Sequence, residues 1–144
     1  MNRAAPRAAT LARRHLTIGW WALFVFVALG IVLEGLLAFR ESAYVDVGLE
    51  ARRSMWRLAH THGTGLALVN IAYGLSVKSE PAAADVLASA CLIVALALIP
   101  LGFFGGGIVL HGGDPGEMVF AVPPGAIALA AGIARVARAV TRAA

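Results

Sequence analysis

Along this chain the apolar residues come in long unbroken runs, and the polar ones gather in the gaps between them. Four runs stand out, at about 16–39, 55–77, 83–104 and 118–136. A helix rises about 1.5 Å per residue, so about 20 apolar residues cross the roughly 30 Å hydrocarbon layer of a bilayer. Each run approaches that length, which predicts four membrane-spanning helices. Pro100 marks an expected kink in the third, and Pro123 and Pro124 open the fourth, where a first helical turn tolerates them. The first run follows Arg13 and Arg14 as a signal peptide would, but it is too long for one and reads as a retained span.

Within each run the small residues recur at helical spacing. Advancing about 100° per residue, Ala59, Gly63, Ala67, Asn70 and Gly74 fall on one stripe of the second span. Gly30, Glu34 and Ala38 make a similar stripe on the first. Ala84, Ala88, Cys91, Ala95 and Gly102 do so on the third, and Ala121, Gly125, Ala128 and Gly132 on the fourth. In lipid such faces let helix backbones approach closely. The fold class that follows is all-α: an integral membrane four-helix bundle forming one domain, with Gly30, Gly63 and Asn70 as packing residues and Glu34 pointing inward.

Composition supports this class. Of the 144 residues 60% are hydrophobic and only 14% charged, well outside the range of soluble domains. The net charge of +4 sits where a topology signal would put it: Arg3, Arg7, Arg13 and Arg14 before the first run, and Arg135, Arg138 and Arg142 after the last. Basic ends on an even number of spans place both termini in the cytoplasm, with anionic lipid head groups as their partners. No surface for nucleic acid is implied. The lone Cys91 excludes a disulfide framework.

Under this topology Glu34, His60, His62, His111, Asp114 and Glu117 gather at one membrane face. His15, among the arginines of the opposite face, is expected to have a surface role. Ionisable groups inside spans are expensive and commonly functional. His60 and His62 lie about 200° apart on a regular helix, so they do not chelate one ion from one side. One of them, with His111 or Glu34 from another element, makes a better centre. His60 shares its face with Arg57 and Thr64, which suits a held ligand or an anion. The alternative for each histidine is helix glue, and for Glu34 a salt bridge to Arg57 or Arg53. "GFFGGGIVLHGGDPGE" joins a glycine-rich stretch to His111, and its "GGDPG" is a turn signal. Haem-attachment, zinc-protease and serine-hydrolase elbow motifs are all absent.

"WRLAHTHGTGLALVN" resembles the His-x-His-Gly helix of small four-helix bacterial membrane proteins of unknown role. It is also distantly similar to the histidine helices of haem–copper oxidase catalytic subunits. With the preceding "EGLL" it resembles hydroxylaminobenzene mutase-like proteins. The oxidase resemblance implies His60 or His62 as an axial haem ligand. The mutase resemblance implies a small-molecule pocket lined by Glu34, His60 or His62, and Asn70. The expectation is a multi-pass protein of a bacterial cytoplasmic membrane with a His/Glu site near its outer face. That site would bind haem or a transition metal, with His60 and His111 as metal ligands and Glu34, His62 and Arg57 beside them. The alternatives are an intramembrane isomerase or mutase using Glu34 and a histidine as acid and base, and an accessory subunit of a larger membrane complex or homo-oligomer.

Overall fold

The computed structural model describes residues 4–143, and helix makes up 88% of it, which fixes the class as all-α. The helices are α1 (Ala4–Ala38), α2 (Ser42–Val45), α3 (Glu50–Ser79), α4 (Val86–Gly106) and α5 (Val122–Ala143). Three segments are long and apolar enough to cross a membrane: Pro6–Ala38, Val86–Gly106 and Glu117–Arg142. The 30-residue α3 has the length, but its arginines, histidines and Lys78 make it too polar to join them by composition.

Helices extend past the apolar runs. α1 begins a dozen residues before its run, because Arg13, Arg14 and His15 are compatible with helix even though they end the apolar stretch. The fourth run becomes a full helix with Pro123 and Pro124 in its first turn, preceded by the 3-10 turn Glu117–Ala121. α4 passes through Pro100 without interruption.

α1 packs on α3, α3 on α4 and α4 on α5. Successive long helices run antiparallel, so Ala8, Val77, Ala88 and Val136 meet at one end of the fold. Leu66, Ala67, Ala95, Leu96 and Ile99 form a second apolar cluster nearer the middle. Small residues set the helix spacing. A methyl added at Gly19 would lie 2.6 Å from Ile71, and one at Gly125 would lie 2.7 Å from Ile99. The α3 stripe is wholly buried, as its spacing predicts. The α1 stripe is not: Gly30 is half-buried, while Glu34 and Ala38 are exposed. The seam of α1 runs through Phe26, Gly30 and Leu33, leaving Glu34 a step around the helix, on the rim rather than inside.

At the other end the loops are pinned. Tyr44, Trp56 and Phe104 stack, with centroids 6.1 and 5.5 Å apart. The Arg52 guanidinium donates to the carbonyls of Ala43, Gly107 and Ile108 at 3.0–3.2 Å. The expected turn is a two-residue hairpin, in which β1 (Leu110–His111) pairs with β2 (Asp114–Pro115). Gly112 and Gly113 both take positive φ, 61° and 97°, which the tight reversal demands and side chains resist.

Candidate functional site

Two polar clusters lie at opposite ends of the long helices, and they differ in how completely their hydrogen bonds are made. The first contains the residue that the sequence pattern misplaces. His15 is not a surface residue; it has 0% exposure, as does Asn70, and Ser89 has 1%. Because α1 starts at Ala4, His15 lies mid-helix on the face carrying Ala8, Leu11, Ala12 and Gly19, and that face is buried against α3.

The donors and acceptors there can be assigned. Asn70 Nδ2 donates to the Leu66 carbonyl at 2.9 Å, so its Oδ1 faces His15 and accepts from Nδ1–H at 2.8 Å. His15 Nε2 is then the acceptor, and it takes the Ser89 hydroxyl proton at 2.7 Å. The Tyr73 ring meets the imidazole edge-on at 4.7 Å. Tyr73 Oη donates to the Asp85 carbonyl at 2.8 Å and accepts from its N–H at 3.0 Å. The Asp85 carboxylate caps α4 through Ala88 N–H and receives Arg135 from α5 at 2.7 and 3.0 Å. Arg135 holds the Asp85 carboxyl below the usual carboxylate range.

Ser89, His15 and Asn70 have the connectivity of a nucleophile–base–orienter relay. All three side chains are enclosed, and neither of the cavities of about 420 and 660 Å³ between α1 and α3 is lined by them. Every side-chain partner is satisfied within the protein. The cluster therefore ties all four long helices together and is structural.

The second cluster is incomplete, and it opens. A cavity of about 660 Å³ between α1 and α3 is lined by Gly30, Glu34, Tyr44, Arg53, Arg57 and His60, with apolar walls from Val27, Ile31, Leu33 and Leu37. His60 Nδ1 donates to the Phe26 carbonyl at 2.7 Å, which leaves Nε2 as a lone-pair acceptor. Gly30 makes this possible: a methyl there would fall on the His60 ring. Arg53 bonds the carbonyls of Tyr44 and Asp46 and approaches Glu50 at 3.9 Å. Among the described residues the Glu34 carboxylate and the Arg57 guanidinium have no hydrogen bond or ion pair, so the salt bridge considered for Glu34 is not formed. Burial raises the Tyr44 phenol above its ordinary value against the pull of Arg57 and Arg53, which keeps it a neutral donor.

The other candidates lie elsewhere. His62 is exposed, bonds its own helix at the Leu58 carbonyl and leans on the Phe103 ring at 4.9 Å. His111 is exposed at the hairpin, beside a separate cavity with Gly105, Val109, Glu117 and Met118. The structure therefore joins Glu34, Arg57 and His60, and does not join His111 or His62 to them. Among the described residues no group of three or more His, Cys, Asp or Glu side chains could hold a metal ion. Asn70 is enclosed with His15 and lines neither of the cavities between α1 and α3.

Sequence reasoning misplaced His15, took Arg135 only as a topology signal, and passed over Ser89 and Asp85. The available signal for His15 was its spacing from Ala8, Ala12 and Gly19; for Ser89, its position one residue from Ala88 on the packed face of α4. Comparison with protein-family models, with curated proteins and with solved structures finds no match to this chain.

Proposed function

We propose that this is a multi-pass protein of a bacterial cytoplasmic membrane whose α1–α3 cavity is an acid–base site. In this reading α1, α3, α4 and α5 cross the bilayer as a four-helix bundle, with both termini in the cytoplasm and the cavity near the outer face. Three apolar helices support it, as does the packing of polar α3 between α1 and α4, which shields much of its surface. Arg7, Arg13, Arg14, Lys78, Arg135, Arg138 and Arg142 lie toward the same end of the helices, as basic residues facing a cytoplasm do.

The observation that carries the function is the meeting of Glu34, Arg57 and His60 in one cavity with their reactive atoms unengaged. In a chain that satisfies its enclosed histidine, His15, completely, polar groups left open at a cavity mark where a ligand belongs. His60 Nε2 is the base, Glu34 the acid, and Arg57 stabilises negative charge that develops as the proton leaves. The chemistry is isomerase-type proton transfer within one molecule. Haem or a transition metal fits less well, because His60 and His111 line separate cavities. The accessory-subunit alternative rests on small-residue stripes, and those glycines already meet neighbouring helices of this chain.

An enzyme that moves a proton through exchangeable groups washes solvent deuterium into its substrate. Purified protein is incubated in D₂O with a lipid extract of the expressing cells, and mass spectrometry identifies compounds that gain deuterium. The expected result is at least one compound labelled by wild type and not by His60→Gln or Glu34→Gln. Labelling identical in wild type and both variants would overturn the reading.

A further inference from the structure

The shape and charge of the same cavity specify what enters it. Along α1 the lining residues run from Leu37 to Val27, ten positions or about 15 Å of helix. Their apolar side chains are open sideways: Val27 is 43% exposed, Leu37 53% and Ile31 69%. Along α3 the polar residues follow in register, Arg53 at the loop end, Arg57 one turn further in, and His60 level with Gly30. The cationic side chains thus lie at the outer end, and the inner end sets the apolar side chains of Val27 and Ile31 beside His60 and Thr61. With Glu34 ionised, Arg53 and Arg57 still leave the lining with a net positive charge. Tyr44 adds a neutral donor at the same level.

We infer that the ligand is a membrane-soluble amphiphile carrying one anionic head group, which enters sideways from the outer leaflet. Its head group lies on Arg57, with Tyr44 and Arg53 above it, and its apolar part runs inward along Ile31 and Val27. A soluble metabolite would leave the exposed apolar wall of α1 unused. A neutral lipid would give the exposed Arg57 guanidinium at the cavity no counter-charge. This inference rests on the acid–base reading of the cavity and names the class of molecule on which it acts.

The test uses full-length protein in equimolar vesicles of phosphatidylcholine and phosphatidylglycerol. One of the two lipids, or an added fatty acid, carries a photoactivatable diazirine in its acyl chain. Cross-links are mapped by peptide mass spectrometry. The phosphatidylglycerol or the fatty-acid probe should label the segment around Val27 and Ile31 several-fold more than the phosphatidylcholine probe, and which of them does so tells phosphate from carboxylate. Arg57→Gln should reduce that labelling to the phosphatidylcholine level, while Arg57→Lys retains it. Ile31→Trp, which fills the groove without changing charge, should also abolish it, and Lys78→Ala at the opposite end should leave it unchanged. Equal labelling by all probes in wild type, or enrichment that survives Arg57→Gln, overturns the inference. Because Glu34→Gln and His60→Gln retain Arg57, enrichment without deuterium exchange would refute only the acid–base reading. Exchange without enrichment would refute only the ligand class.

Discussion

Three histidines on long helices separate by what their ring nitrogens touch. His15 has both nitrogens engaged by side chains from α3 and α4. His60 has one engaged and one open to a cavity. His62 bonds only its own helix and is exposed. Ser89→Ala would leave an enclosed imidazole nitrogen without a partner, a loss of about 1–3 kcal/mol. Thermal unfolding of the purified variant should show that loss, with deuterium exchange at the cavity unchanged at permissive temperature. Asn70→Leu should behave alike, because it orphans His15 Nδ1–H. His60→Gln should do the reverse, losing exchange while unfolding within a few degrees of wild type. His62→Ala should alter neither.

At the scale of elements, α1 and α3 meet through positions with no side chain to spare. Gly30→Ala places a methyl on the His60 ring and breaks its bond to the Phe26 carbonyl, so exchange should fall sharply in a protein that still folds, as read by circular dichroism and the same mass assay. α4 and α5 meet through Asp85 and Arg135. Since the folded Asp85 carboxyl lies below its ordinary value, its contribution is complete above the unfolded value, about 3.9, and is lost as pH falls through the folded one. Wild type should therefore lose melting temperature more steeply than Asp85→Asn below about pH 4, and Asn keeps the cap on Ala88 N–H. The α3 stripe, Ala59 to Gly74, was legible because its small residues keep strict helical spacing. The seam of α1 was not, since Arg13, Arg14 and His15 end the apolar run without ending the helix. Reading that stripe back from Gly30 through Glu34 put the carboxylate one step wrong. That Glu34, Arg57 and His60 share a level was legible from two antiparallel helices, but the first partner expected for His60 was His111, which lies elsewhere. The network of His15, Asn70 and Ser89 joins residues 55 and 74 positions apart, and no local pattern announces it.

At the scale of the described chain, one end is tied by a satisfied polar network and the other carries the candidate cavity. The enclosed network and the Asp85–Arg135 pair bind four helices where the described chain begins and ends. The candidate cavity lies toward the opposite end, where α1 and α3 leave room between them. Everything proposed for that cavity, including its sidedness and sideways entry, requires α3 to cross the bilayer despite its polar composition. That requirement is open to direct measurement. Single cysteines at Ser42 and Ser79, just before and at the end of α3, are introduced in a Cys91→Ser background and exposed in intact cells to a membrane-impermeant thiol reagent. The account predicts that the Ser42 position reacts from outside and the Ser79 position reacts only after permeabilisation. Reaction at both positions, or at neither, would place the two ends of α3 on one side of the membrane and contradict it, and reaction at the Ser79 position alone would invert the orientation.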